Sequence, residues 1–299
     1  MTDAPLSTHV PVRVGLAGAG PWARMVHAPL LAAGPETQLA GVWSRSTEHA
    51  AALAADHGVT TYPSFDALLD DVDAVAIAVV PSAQPDLAVR AANAGKAVLL
   101  EKPLGLDVDA ARRIADAVTE NGVGSIVLLT YRFADVVREF LADAATMNPS
   151  GGRACFISGA FLSGAFAGGW RLEQGALLDV GPHILDLVEA ALGPVMDIRG
   201  HGDPRQWVGL LLTHENGAHS EVTLSCASAI EPSRTEVEVY GRDRSAFVDA
   251  RAGARAGSFA RLRAEFADVA RTGAPHACDA QRGLVIQTLV ERATRALDR

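Results

Sequence analysis

Hydrophobic and polar positions along this chain follow two periods, and the changeover divides it in two. Through the first part, short apolar runs at 12–17, 38–43, 60–62, 74–80, 97–100 and 125–130 read as strands. Between them, helical spacing begins at Trp22, runs over 47–57 behind Ser46, and recurs near 65–69 and over 86–94. A further helix follows Asp107 and stops at Asn121-Gly122. The 74–80 run is apolar without interruption, as a strand covered on both faces requires. Strands alternating with helices across short loops predict a doubly wound parallel sheet.

The second part reads differently. A helix over 134–145, a loop at 148–152, a strand over 153–161, a glycine-rich stretch at 163–169 and a helix over 182–192 come first. Strand-like runs then follow at 195–201, 207–214, 219–228, 235–241 and 245–249, with hairpin-length turns such as Glu215-Asn216-Gly217 between them. Helices over 258–271 and 280–297 close the chain, and the Ala/Gly/Arg tract at 251–257 reads as a loop. The expected class is α/β, with a C-terminal α+β domain built on a largely antiparallel open sheet. Length supports two domains, a dinucleotide-binding one over 1–124 and a substrate and oligomerisation one over 125–299.

The first strand runs straight into Gly18-Ala19-Gly20-Pro21-Trp22-Ala23, where helical spacing takes over. Strand, glycine turn and helix in that order form the context of a dinucleotide fingerprint of the Rossmann type. Gly18 allows the tight turn, Gly20 lets the backbone approach a pyrophosphate, and Ala23 lets helix and strand pack closely. The helix N-terminus then offers N–H groups and a positive dipole end to the phosphates. At the end of the second strand, where an NAD-preferring fold places Asp or Glu, the chain reads Trp43-Ser44-Arg45-Ser46. A hydroxyl and a guanidinium suit a 2′-phosphate, so NADP(H) is favoured over NAD(H). The alternative is a helix cap beside a surface arginine.

Composition narrows the partners. With 49% hydrophobic and 20% charged residues the chain is globular, and a net charge of −9 without a Lys/Arg cluster argues against nucleic acid. The arginines between 251 and 263 read as a solvated helix face. Cys155, Cys226 and Cys278 are odd in number and widely spaced, reading as reduced thiols, and the nine histidines show no metal-ligand spacing. Met1–Pro11 lacks a signal pattern and no apolar run reaches membrane-spanning length, so a cytoplasmic protein with no membrane partner is expected.

Two constellations could carry chemistry. Glu101-Lys102-Pro103 follows the strand at 97–100, at the carboxyl edge where open α/β sheets bind ligands. There the Lys102 ammonium can hold a substrate oxygen, although a lone lysine is more often a solvated loop residue. Asp179 and His183 stand four apart, with Asp186 beyond. A helix spanning both puts carboxylate and imidazole one turn apart; otherwise Asp179 caps a helix with Pro182 in its first turn. Either arrangement lets the carboxylate orient a working imidazole. The alternative is a structural cap beside a locally satisfied histidine. No Gly-x-Ser-x-Gly elbow, and no Cys/His pair near a motif, supports nucleophilic catalysis.

Taken together, Gly18-Ala19-Gly20 with His27-Ala28-Pro29, Ala94-Gly95-Lys96, Glu101-Lys102-Pro103, Tyr131-Arg132-Phe133 and Gly175-x-x-x-Asp179-x-Gly181-x-His183-x-x-Asp186 resemble the Gfo/Idh/MocA oxidoreductase family (glucose–fructose oxidoreductase, inositol dehydrogenase). The resemblance implies Lys102, Asp179 and His183 as catalytic, with hydride passing between nicotinamide and a secondary alcohol or ketone of a sugar or polyol. It implies cofactor contacts from Gly18, Gly20, Pro21, Trp22, Ala23, Ser44, Arg45, Val80, Pro81, Glu101, Lys102, Trp170 and Arg171. Tyr131 and Arg132 would join the catalytic three at the substrate, and the C-terminal sheet would pack a homo-oligomer. Pro85 stands where members often carry a histidine, and the glycine run before the Asp is reduced to Glu173-Gln174-Gly175, which leaves the substrate open. The rival class is a non-catalytic NAD(P)-binding regulator or scaffold, and a third is an enzyme using bound NAD(H) for transient redox. A mere binder needs none of lysine, aspartate and histidine.

Overall fold

A computed structural model describes residues 10–164, 167–253 and 256–298. The expectation for the start of the chain falls almost wholly on 1–9, outside the described residues, as do 165–166 in the glycine-rich stretch and 254–255 in the arginine tract.

Six parallel strands form the first sheet: β1 (Val12–Ala17), β2 (Thr37–Trp43), β3 (Thr60–Thr61), β4 (Ala74–Ile77), β5 (Ala97–Leu100) and β6 (Ser125–Val127), in the order β3-β2-β1-β4-β5-β6. The order reverses between β1 and β4, which opens a crevice at their carboxyl ends. Every residue of β4 and β5 is buried, matching their unbroken apolar runs. β4 stops three residues short of the expected 80 because its neighbour β1 ends at Ala17, opposite Ile77. Ala78, Val79 and Val80 therefore run on into the crevice. After β1 the chain makes a π-helical turn, Ala23–His27, before α1 (Ala28–Ala32). Ser46 caps α2 (Thr47–His57), Ser64 caps α3 (Phe65–Asp71) and Asp107 caps α5 (Val108–Glu120), while α4 (Gln84–Asn93) starts two residues earlier than expected.

The second sheet holds β7 (Gly151–Ile157), β8 (Val195–Asp203), β9 (Trp207–His214), β10 (His219–Ser225), β11 (Arg234–Tyr240) and β12 (Ser245–Asp249), ordered β12-β11-β7-β10-β9-β8. It is antiparallel except where β7 and β10 pair in parallel. α6 (Asp135–Ala145), α7 (Trp170–Asp179) and α8 (Gly181–Leu192) belong to this half. The α8 helix is buried at almost every position, and its apolar residues pack with those of the sheet in one core.

The two halves are not divided by one cut in the chain, and two expectations about 251–263 need correction. β6 pairs with β5, so the first sheet continues past residue 124. The helix α10 (Ala256–Thr272) returns to the first half, where Leu262, Phe266 and Val269 join its core. α11 (Ala280–Leu297) spans both cores, with Ala280 in the first and Ile286, Leu289 and Val290 in the second. The tract read as a loop contains a short helix, α9 (Ala250–Gly253). Nor is its arginine face wholly solvated, because Arg263 is buried on Glu36 at 2.6 Å. No helix among the described residues is long and apolar enough to cross a membrane.

Candidate active site

The crevice at the reversal point is a cavity of about 440 Å³. Its floor is the turn Gly18-Ala19-Gly20-Pro21-Trp22, which leaves β1. Gly18 has φ 120°, and a Cβ there would strike the Ala78 carbonyl, so this glycine serves the backbone. A Cβ on Gly20 would meet nothing within 4 Å and would project into open space. That emptiness is a cradle a pyrophosphate can enter, and it fits a dinucleotide. Ala23, also expected at the cofactor, lies fully buried behind the turn and does not line the cavity. Its place in the core matches the close packing expected of it.

One side of the cavity carries Ser44 and Arg45 after β2, and another carries Val80 and Pro81 after β4. Glu101 and Lys102 close it after β5, with Trp170 and Arg171 reaching in from the second half. The Arg171 guanidinium lies over the Trp170 ring, 4.8 Å from its centroid. Glu101 is tied to the glycine turn: its Oε1 accepts from Trp22 Nε1 at 2.7 Å and meets His27 Nε2 at 2.6 Å. The Lys102–Pro103 peptide is cis.

Lys102 Nζ donates to the Asp179 carbonyl at 2.7 Å and to Asp179 Oδ1 at 3.1 Å. Arg171 Nε lies 3.3 Å from the same Oδ1. Lysine and aspartate from the two halves therefore meet, as expected. The expected partnership of Asp179 with His183 does not form. Val180 separates α7 from α8 and so leaves Asp179 and His183 on different helices, while the Asp179 carboxylate is taken by Lys102 and Arg171. Asp179 does not cap α8 either, since Val180 holds that position and no side chain caps it.

His183 is buried, its Nδ1 without a hydrogen-bond partner, and the ring stands edge-on to Tyr131 at 5.2 Å. Burial, and then the nearby Lys102 charge, hold the imidazole pKa well below its usual value. It is neutral at pH 7, with a ring nitrogen available to accept a proton. Burial likewise raises the Tyr131 phenol above its ordinary range. Cys226 is close enough to Asp179 and Lys102 to feel both, but burial first and then the Asp179 charge push its thiol to about 12, far from a nucleophile.

Arg132, expected at the substrate, is engaged elsewhere. Its Nη1 donates to both oxygens of Asp186, at 3.0 and 3.2 Å, and Asp186 also accepts from Arg282 Nε at 2.7 Å. Arg282 in turn pairs with Glu189. This buried chain of charges links the 3-10 turn Thr130–Phe133 to α8 and α11. It fixes the turn carrying Tyr131 instead of presenting a guanidinium to a ligand. Gln84 and His27 were missed as site residues. Both are buried polar groups bonded to Glu101; Gln84 carries no local sequence signal, and His27 stands out only through the His27-Ala28-Pro29 motif, which assigns it no role.

Fold and cleft together define a two-domain protein built to hold a dinucleotide where its halves meet. The chain belongs to the GFO/IDH/MocA family. It matches the family's N-terminal domain, described as oxidoreductase family, NAD-binding Rossmann fold, over residues 12–128, and its C-terminal domain over residues 111–247. Among curated relatives it is 34% identical to dTDP-3,4-didehydro-2,6-dideoxy-alpha-D-glucose 3-reductase of Streptomyces violaceoruber over 198 residues, 63% of this chain. That alignment spans 57% of the relative, so the chain matches little more than half of its length. Among solved structures, UDP-N-acetylglucosamine 3-dehydrogenase of Acidithiobacillus ferrooxidans superposes with a TM-score of 0.85 at 24% identity, covering 97% of this chain and 99% of that one. GenD2 from gentamicin A biosynthesis, in complex with NAD, superposes with a TM-score of 0.85 at 23% identity, covering 99% and 97%. At these identities the superpositions establish the fold.

Proposed function

We propose that this protein is a nicotinamide-dependent oxidoreductase passing hydride between the cofactor and a secondary alcohol or ketone of a sugar or polyol. The observation that carries the reading is the Lys102 ammonium, fixed by Asp179 at the edge of the dinucleotide cleft, with a neutral buried imidazole within reach of its charge. A bound nicotinamide supplies the hydride acceptor or donor. Two of the three Lys102 N–H groups are used on Asp179, leaving one for the substrate oxygen, whose developing charge the ammonium stabilises. His183 takes the hydroxyl proton in oxidation and returns it in reduction. Asp179 acts on Lys102 and Arg171, and His183 is oriented by packing on Tyr131. The dTDP-sugar reductase named above is a sugar-nucleotide enzyme, which agrees with a sugar substrate. The test is a panel of sugars and polyols followed by the absorbance of reduced nicotinamide; no net redox change with any of them would defeat the reading.

This reading includes a preference for NADP(H). Ser44 and Arg45 line the cleft without a neighbouring carboxylate after β2, and Arg45 is exposed. A lost charge-assisted hydrogen bond is worth roughly 1.5–3 kcal/mol. Arg45→Ala is therefore expected to weaken NADPH binding by about 10- to 100-fold and leave NADH unchanged, as titrations of both would measure. A wild-type preference for NADH removes the assignment. The three thiols are unpaired, which supports a reducing, cytoplasmic setting. Leu211 and Phe247, both more than half exposed, face outward from the second sheet and support homo-oligomer formation there.

The depressed imidazole pKa sets a pH dependence. Oxidation needs neutral His183, which persists from alkaline pH down through 6.5 and is lost only as pH falls through the lowered pKa. The acid limb of kcat/KM for oxidation should lie well below pH 6.5, and reduction should instead gain as pH falls. Rate profiles in both directions between about pH 5 and 8 check this. An oxidation limb at or above 6.5 contradicts it.

A further inference from the structure

Main-chain polar groups just beyond β5 have lost their strand neighbours. β4 ends at Ile77, opposite Leu100, so Glu101 to Pro103 must find hydrogen-bond partners outside the ladder. One side chain supplies them. Gln84, 1% exposed at the start of α4, accepts from Glu101 N through Oε1 at 2.7 Å. Its Nε2 donates to Glu101 O at 2.7 Å and to Pro103 O at 3.1 Å. The two-way exchange satisfies both main-chain groups of Glu101 from one side chain, as a residue facing it in an antiparallel pair would. The third bond pins the far side of Lys102. The lysine thus stands between two residues whose main chains are fastened to the same buried amide.

We propose that Gln84 is a positioning residue, a side-chain surrogate for the missing strand that holds Lys102 at its working place; this rests on the catalytic role assigned to Lys102 above. Neither half of the amide is expendable. Glutamate at this position keeps the acceptor but loses both donors, and methionine keeps the volume but loses all three bonds. Without them the turn relaxes, and displacement of a catalytic group by about 1 Å can cost on the order of 10²-fold in rate. The glycine turn and Ser44–Arg45, which would hold the phosphates and ribose, lie on other elements, so dinucleotide binding should change little.

The test is Gln84→Met, Lys102→Ala and the double variant, with kcat, cofactor Kd, Tm and amide hydrogen exchange at Glu101 measured on each folded chain. Gln84→Met is expected to lower kcat by about 30- to 100-fold, change cofactor Kd by less than about threefold, and speed exchange at the Glu101 amide. Because Gln84 acts through Lys102, adding it to Lys102→Ala should cost almost nothing more. Losses that multiply in the double variant overturn the proposal, as does a Gln84→Met rate within about threefold of wild type. A rate loss that tracks a fall in Tm and in cofactor affinity marks Gln84 as merely structural and overturns it too. Should wild type be inactive on every sugar and polyol, the functional reading fails while the clamp is still judged by exchange. Faster exchange at Glu101 in Gln84→Met then upholds it, and unchanged exchange sinks it.

Discussion

Lys102→Ala and His183→Ala should each lower kcat by at least about 10²-fold, the scale expected when a positioned proton-transfer or charge-stabilising group is lost. The two losses should differ in kind. Lys102 lines the dinucleotide cleft, so its removal also leaves Asp179 facing Arg171 alone and can disturb the nicotinamide end. His183 does not line that cleft, so cofactor Kd in His183→Ala should stay at the wild-type value while kcat falls. Fluorescence can follow binding, because Trp22, Trp43 and Trp170 all line the cavity. Steady-state kinetics then separate binding from chemistry. Turnover near wild type in a folded variant of either residue would remove the role given to it.

The sequence revealed most where structure is decided locally. Val12 to Ala32 needed only a β-branched run, two glycines and helical spacing, and the crevice follows from the strand order that such units impose. The strands of the second sheet were legible for the same reason, since alternation along β9 to β12 matches one buried and one open face. What was lost depended on distant partners or on one break between helices. Spacing placed Asp179 and His183 together, but the break at Val180 puts them on separate helices and the Asp179 carboxylate goes to Lys102, 77 residues earlier in the chain. Arg132 looked available because Asp186, 54 residues after it, and Arg282, 96 residues beyond Asp186, are invisible as its neighbours along the chain. A single cut at 124 leaves out α10, which folds back on the first core from far along the chain.

Gly20→Val should abolish dinucleotide binding and leave the fold standing. Both halves of that expectation come from the same open space. A Cβ at Gly20 meets no atom within 4 Å, and the residue is exposed, so the folded protein accommodates a larger side chain without displacing anything. Surface changes of this kind stay within about 0.5 kcal/mol, which moves Tm by roughly 2 °C or less at this size. The space it fills, however, is where the turn's N–H groups must reach a pyrophosphate. Losing even two charge-assisted hydrogen bonds, each worth about 1.5–3 kcal/mol, weakens binding by more than about 10²-fold. Gly18→Ala is the contrasting control. Its φ of 120° and the Ala78 carbonyl beside it mean that a methyl group there strains the backbone itself, so stability and binding should fall together. Thermal melts and cofactor titrations on both variants distinguish the two glycines. Undiminished cofactor affinity in Gly20→Val would mean that the pyrophosphate does not cross this turn, and the orientation of the dinucleotide in the cleft would have to be abandoned.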